Sequence, residues 1–80
     1  MKIGIIGLGR MGKNHLRVLN HLRSSVDDIS IYDTDIKTMI EMSKIYDVKH
    51  YEDLDSFLDN VNAVIICTPT TTHYELAKSV

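Results

Sequence analysis

Residues 2–7, KIGIIG, form a short apolar run dominated by β-branched side chains. A run of this kind predicts a strand buried on both faces, as in a parallel sheet. From residue 11 to residue 22 the pattern changes. Leu16, Leu19 and Leu22 recur at threefold spacing with Val18 beside them, while Lys13, Arg17 and Arg23 can face solvent. That pattern predicts an amphipathic helix. Residues 29–33, Ile-Ser-Ile-Tyr-Asp, predict a second strand that ends in an acid. Thr34 or Asp35 can cap a helix running to about Ile45, with Ile36, Met39, Ile40 and Met42 turned inward. Residues 48–51 predict a weaker third strand, and residues 53–59 a short helix carrying Leu54, Phe57 and Leu58. Residues 62–67, NAVIIC, are the most strand-like run in the chain, and Thr68-Pro69-Thr70 closes it. A last helix is expected from about Thr72 to the C-terminus, with Tyr74, Leu76 and Ala77 available for packing.

The order of expected elements is β-α-β-α-β-α-β-α. Strict alternation implies parallel strands joined by helical crossovers. The fold class expected is α/β, the first half of a doubly wound Rossmann sheet with strand order 3-2-1-4.

Composition narrows the function more than the fold. The chain has 80 residues, enough for one small domain. A chain of that size buries only about 60% of its unfolded surface, so its core is small. With 44% hydrophobic and 25% charged residues it has the composition of a soluble globular protein. Its formal net charge of −2 carries no basic excess and argues against nucleic acid or an anionic membrane as partner. One cysteine, Cys67, forms no intrachain disulfide and fits a reducing, cytoplasmic setting. No apolar run approaches the roughly 20 residues that span a bilayer.

Three of the four glycines, Gly7, Gly9 and Gly12, fall within six positions. Their spacing is G-x-G-x-x-G, directly after an expected strand and at the start of an expected helix. Asp33 lies 21 positions beyond Gly12, at the end of the second strand. Strand, glycine turn, helix and distal acid together form the dinucleotide-binding fingerprint. Each glycine has a distinct task there. Gly7 turns the chain out of the strand, Gly9 lets a pyrophosphate approach the backbone, and Gly12 lets helix and strand pack closely. The amides of Arg10 and Met11 would face the phosphates, aided by the helix dipole. Asp33 would accept hydrogen bonds from the adenosine ribose hydroxyls. A carboxylate there repels a 2′-phosphate, and Thr34 adds no compensating charge, so NAD is favoured over NADP. Lys37, one turn further, could pair with a phosphate or stand solvated.

The loop after strand four supplies a second pattern. GLGRMGKNH at the start, IYD after strand two, and AVIICTPTTTHYELA near the end together resemble the Gfo/Idh/MocA oxidoreductases, the family of glucose–fructose oxidoreductase and inositol dehydrogenase. The residues carrying the resemblance are Gly7, Gly9, Gly12 and His15, then Thr68, Pro69 and His73, and it covers essentially the whole chain. It implies that Thr68, Pro69, Thr70 and His73 pack against the pyrophosphate and the nicotinamide ribose, across the groove from the glycine turn. It also implies a parent enzyme that moves a hydride between nicotinamide and a hydroxyl-bearing carbon of a sugar, cyclitol or related small-molecule substrate.

In that family the catalytic lysine and histidine lie beyond the stretch present here. Residues 1–80 are therefore expected to be the N-terminal part of a dinucleotide-binding domain, without the substrate domain and inactive alone. A stand-alone NAD-binding sensor and a purely structural fragment are the alternatives. No catalytic or metal-binding set is found: His15 reads as packing beneath the turn, His21 and His50 as surface, Cys67 as core. The acids Glu52, Asp53, Asp55 and Asp59 read as a solvated face. Without a fifth parallel strand, residues 62–67 would be an apolar sheet edge, and such an edge predicts a homo-oligomer.

Overall fold

A computed structural model describes residues 1–67 and the backbone of residues 72–76. The elements run β1 (Lys2–Ile6), α1 (Arg10–His21), a 3₁₀ turn (Arg23–Ser25), β2 (Asp28–Tyr32), α2 (Ile36–Tyr46), β3 (Lys49–His50), α3 (Leu54–Asp59), β4 (Ala63–Cys67) and β5 (Thr72–Leu76). The described strands form one sheet in the order β3-β2-β1-β4-β5. The first four are parallel: Gly4 of β1 sits beside Ser30 of β2 and Val64 of β4. This is the expected 3-2-1-4 sheet, an α/β Rossmann-like fold.

Period-two alternation divides the core between the two faces of the sheet. Ile5, Ile29, Ile31 and Ile65 pack on one face with Leu16 of α1 and with Met39 and Met42 of α2. Val64 lies on the other with Phe57 of α3 and Val61, flanked by Ile6, Tyr32 and Tyr51. Phe57 is fully buried, and the Tyr51 ring meets it edge-on at 6.2 Å between centroids. It reaches the sheet because position 4 is glycine. A Cβ on Gly4 would lie 2.4 Å from the Phe57 ring.

Helix ends show local chemistry at work. Asp35 and Asp53 cap α2 and α3, accepting from the amides of Thr38 at 3.2 Å and Ser56 at 2.8 Å. Those hydrogen bonds and the ones from the Thr38 and Ser56 hydroxyls hold both carboxyls below the ordinary 3.8. At the far end of α2, Asp47 takes a left-handed φ of 53°. The Arg23 guanidinium donates to the carbonyls of Tyr46 and Asp47 at 3.0 and 2.9 Å, serving carbonyls the helix leaves unpaired. The acids of the α3 region are thus more than a solvated face, because Asp53 is a cap.

Three expectations fail. Residues 72–76 form a strand, where a helix was expected: β5 runs antiparallel to β4, from Cys67 beside Thr72 to Ala63 beside Leu76. The reason is hydrogen-bond accounting. The outer amides and carbonyls of β4 need partners, and a short isolated helix contributes little by itself. For the same reason β4 is not the sheet edge, which removes the stated ground for self-association through it. Finally, Val18, Leu22 and Ile36 do not face inward; each is about half exposed. Val18 lies within α1, Leu22 at its C-cap and Ile36 at the first position of α2.

Candidate dinucleotide site

The turn between β1 and α1 is built around steric contacts that only glycine permits at two of its three positions. Gly7 has φ +92°, a left-handed conformation unsuited to an L side chain. A Cβ there would also lie 2.3 Å from the carbonyl oxygen of Cys67. Gly12 is buried in the first turns of α1, and a Cβ on it would sit 1.8 Å from the carbonyl oxygen of Gly7. These two glycines let strand, turn and helix close on one another and on the end of β4.

Gly9 differs from both. Its φ of −70° suits any residue, and among the described residues nothing lies within 4 Å of where a Cβ would be. No contact among the described residues requires glycine at this position. Gly9 is also the N-cap of α1, and it supplies no side-chain cap, in contrast to Asp35 and Asp53 on α2 and α3. No acid stands in the first turn of α1 either. The amino end of that helix is left open for an external acceptor, where the dipole favours negative charge.

The cleft above this turn has a volume of about 440 Å³ and is lined by residues 7–12 with Asp33 and Cys67. Leu8 is 2% exposed and roots the turn in the core beside Leu16 and Ile31. Above it, the backbone is tied to the end of β2. The Gly7 amide donates to the Tyr32 carbonyl at 2.9 Å. The Leu8 amide donates to Asp33 Oδ2 at 2.6 Å, and the Asp35 amide to Asp33 Oδ1 at 2.8 Å.

The expected site residues are thus partly gathered. Gly7, Gly9, Arg10, Met11, Gly12 and Asp33 line one cleft. Thr34 and Lys37 are exposed and do not line it. Thr68, Pro69 and Thr70 lie outside the described residues. For His73 only the backbone is described; it pairs with Ile66 in β5, where a helix start was expected. His15 is half-buried and borders an apolar groove with Ile3, Val18 and Ile65. Cys67 was read as core only, yet it lines the cleft as well. No sequence pattern signalled its carbonyl as the group that Gly7 must clear.

A parallel sheet whose central strand runs into a glycine turn, with an acid at the end of the next strand, defines a dinucleotide-binding domain. The groove fits such a ligand on geometric grounds: an open helix end and a backbone approach that a Cβ at Gly9 would fill. Residues 1–80 match the family described as oxidoreductase family, NAD-binding Rossmann fold, and the chain belongs to this Gfo/Idh/MocA family.

Individual relatives agree. The chain is 38% identical over 80 residues to 4-carboxy-2-hydroxymuconate-6-semialdehyde dehydrogenase of Sphingobium sp., covering 96% of this chain and 25% of the relative. It is 38% identical over 82 residues to myo-inositol 2-dehydrogenase of Thermotoga maritima, covering 95% and 23%. Among solved structures, UDP-N-acetylglucosamine 3-dehydrogenase GnnA from Acidithiobacillus ferrooxidans superposes with a TM-score of 0.73 at 25% identity, over 88% of this chain and 22% of that one. A probable dehydrogenase from Thermotoga maritima superposes with a TM-score of 0.69 at 34% identity, with the same coverage. The chain spans about a quarter of the length of the curated relatives it matches.

Proposed function

We propose that the glycine turn holds the pyrophosphate of NAD, that Arg10 and Met11 present their amides to it, and that Asp33 accepts from the adenosine ribose hydroxyls. The observation that carries this reading is Gly9. Its conformation and its surroundings among the described residues both accept a side chain, which supports a ligand lying against the backbone as the reason for its being glycine. The uncapped amino end of α1 supports the same conclusion.

NAD is favoured over NADP. The Asp33 carboxylate stands at the ribose position, and neither Thr34 nor Lys37 lines the cleft to offset it. Thr68, Pro69, Thr70 and His73 are assigned to the opposite wall by family resemblance. For the whole protein we assign reversible hydride transfer between nicotinamide and a hydroxyl-bearing carbon. The class of substrate is a sugar, a cyclitol or a derivative, in keeping with relatives named for myo-inositol and UDP-N-acetylglucosamine. Residues 1–80 bind the cofactor and do not turn it over.

The test is calorimetric titration of the 80-residue chain with NAD, NADP and ADP-ribose. Binding of NAD and ADP-ribose with NADP clearly weaker supports the reading. No binding of any of the three, by a chain shown to be folded, refutes it.

A further inference from the structure

Asp33 does more in this structure than wait for a ribose. Both of its carboxylate oxygens are engaged by backbone amides, one from the glycine turn and one from the cap of α2. We propose that Asp33 is a positioning residue: it holds the glycine turn in its anion-binding shape before any ligand arrives. The proposal rests on the reading of that turn as the pyrophosphate site.

The geometry shows how the turn is fixed. The Leu8 side chain is anchored below in the core, while its amide is anchored above to Asp33 Oδ2 at 2.6 Å. One residue earlier, the Gly7 amide is fixed to Tyr32 at 2.9 Å. Gly9 and the open end of α1 follow directly, so the free amides hang from a segment held on both sides. Asp33 Oδ1 takes the Asp35 amide at 2.8 Å, and Asp35 caps α2 through Thr38. The carboxylate therefore joins the glycine turn to the start of a second helix. An ionised carboxylate offers about four acceptor sites. Two remain for ribose hydroxyls, so clamping and ribose binding do not compete.

This arrangement couples cofactor choice to turn geometry in one side chain. Replacing Asp33 by a small neutral residue removes the repulsion towards a 2′-phosphate, but it also releases Leu8. Exchange of this residue alone weakens both dinucleotides and does not convert one preference into the other.

Amide hydrogen exchange and nucleotide binding test the proposal on the 80-residue chain and its variants Asp33→Ala and Asp33→Asn. The binding probes are NAD, ADP and 2′,3′-dideoxyadenosine diphosphate, which lacks the ribose hydroxyls. Loss of a charge-assisted hydrogen bond predicts at least about tenfold faster exchange at Leu8 and Asp35 in Asp33→Ala. Ile5, Ile31 and Ile65 stay protected, and Asp33→Asn, which keeps one acceptor oxygen, falls between. The dideoxy probe binds Asp33→Ala several-fold more weakly than it binds the unmodified chain. A ribose acceptor alone would leave that affinity unchanged, and this result, or unaltered exchange at Leu8, overturns the proposal. If Asp33→Ala loses protection throughout, Asp33→Asn decides by the same two readouts. If the unmodified chain binds none of the probes, the dinucleotide reading falls, and exchange at Leu8 still judges the clamp.

Discussion

The carbonyl oxygen of Gly7 occupies the place where a side chain at Gly12 would begin, 1.8 Å from the would-be Cβ. Helix α1 can start where it does only because position 12 is bare. Gly12→Ala forces backbone apart; overpacking costs about 1–3 kcal/mol, and a clash with rigid backbone falls at the upper end, above the roughly 1 kcal/mol gained from helix propensity. The variant is expected to melt lower by several degrees in a thermal scan followed by circular dichroism. A melting point equal to or above that of the parent contradicts the contact.

Gly9 gives the opposite outcome. A Cβ at Gly9 has no atom of the described residues within 4 Å, and the backbone there suits a side chain, so Gly9→Val is expected to keep its stability within about 0.5 kcal/mol of the parent. NAD binding is lost, because the branched side chain fills the space assigned to the pyrophosphate. Normal NAD titration by this variant would place the phosphates elsewhere.

Asp33→Ala is expected to lower NAD affinity at least about tenfold, since a hydrogen bond to a charged group contributes about 1.5–3 kcal/mol. The affinity for NADP falls too, because the Leu8 clamp goes with the carboxylate. Tighter binding of NADP by the variant than by the parent would show that repulsion alone operates at this position.

Acid should weaken the fold through its helix caps. Asp35 and Asp53 have carboxyls lowered by hydrogen bonds that the unfolded chain lacks. Their contribution is complete above the ordinary value of 3.8 and is lost as pH falls through the lower folded-state values. Urea unfolding at about pH 6, 4 and 3 should show stability dropping over the lower interval. The double variant Asp35→Asn/Asp53→Asn should show a shallower drop, and an identical slope would mean that the caps do not titrate with folding.

Strand β5 protects β4. A chain cut after residue 71 exposes the outer amides and carbonyls of residues 63–67, an apolar edge without lysine or proline. It is expected to dimerise or aggregate in sedimentation at concentrations where the 80-residue chain does not associate through β4. Equal behaviour of the two would mean that β5 does not cover that edge in solution.

The alternation of the first seven elements, the parallel order and the dinucleotide fingerprint were legible in the residues themselves. Each rests on short-range rules: the spacing of apolar side chains, the steric freedom of glycine, and an acid where the second strand ends. The cap at Asp35 belongs to the same class, because the amide it serves lies three residues away; the cap at Asp53 is equally local, yet the sequence reading puts that acid in a solvated face. Other relationships have partners far along the chain. The space at Gly4 is explained by Phe57, the bareness of Gly7 by the carbonyl of Cys67, and the fixed amide of Leu8 by Asp33. Residues 72–76 show the limit most clearly. Their local pattern permits a helix, yet they pair as a strand because the edge of β4 needs hydrogen bonds. Local sequence sets what a segment can become, and the unpaired groups and filled spaces that folding brings beside it decide which of those states it takes.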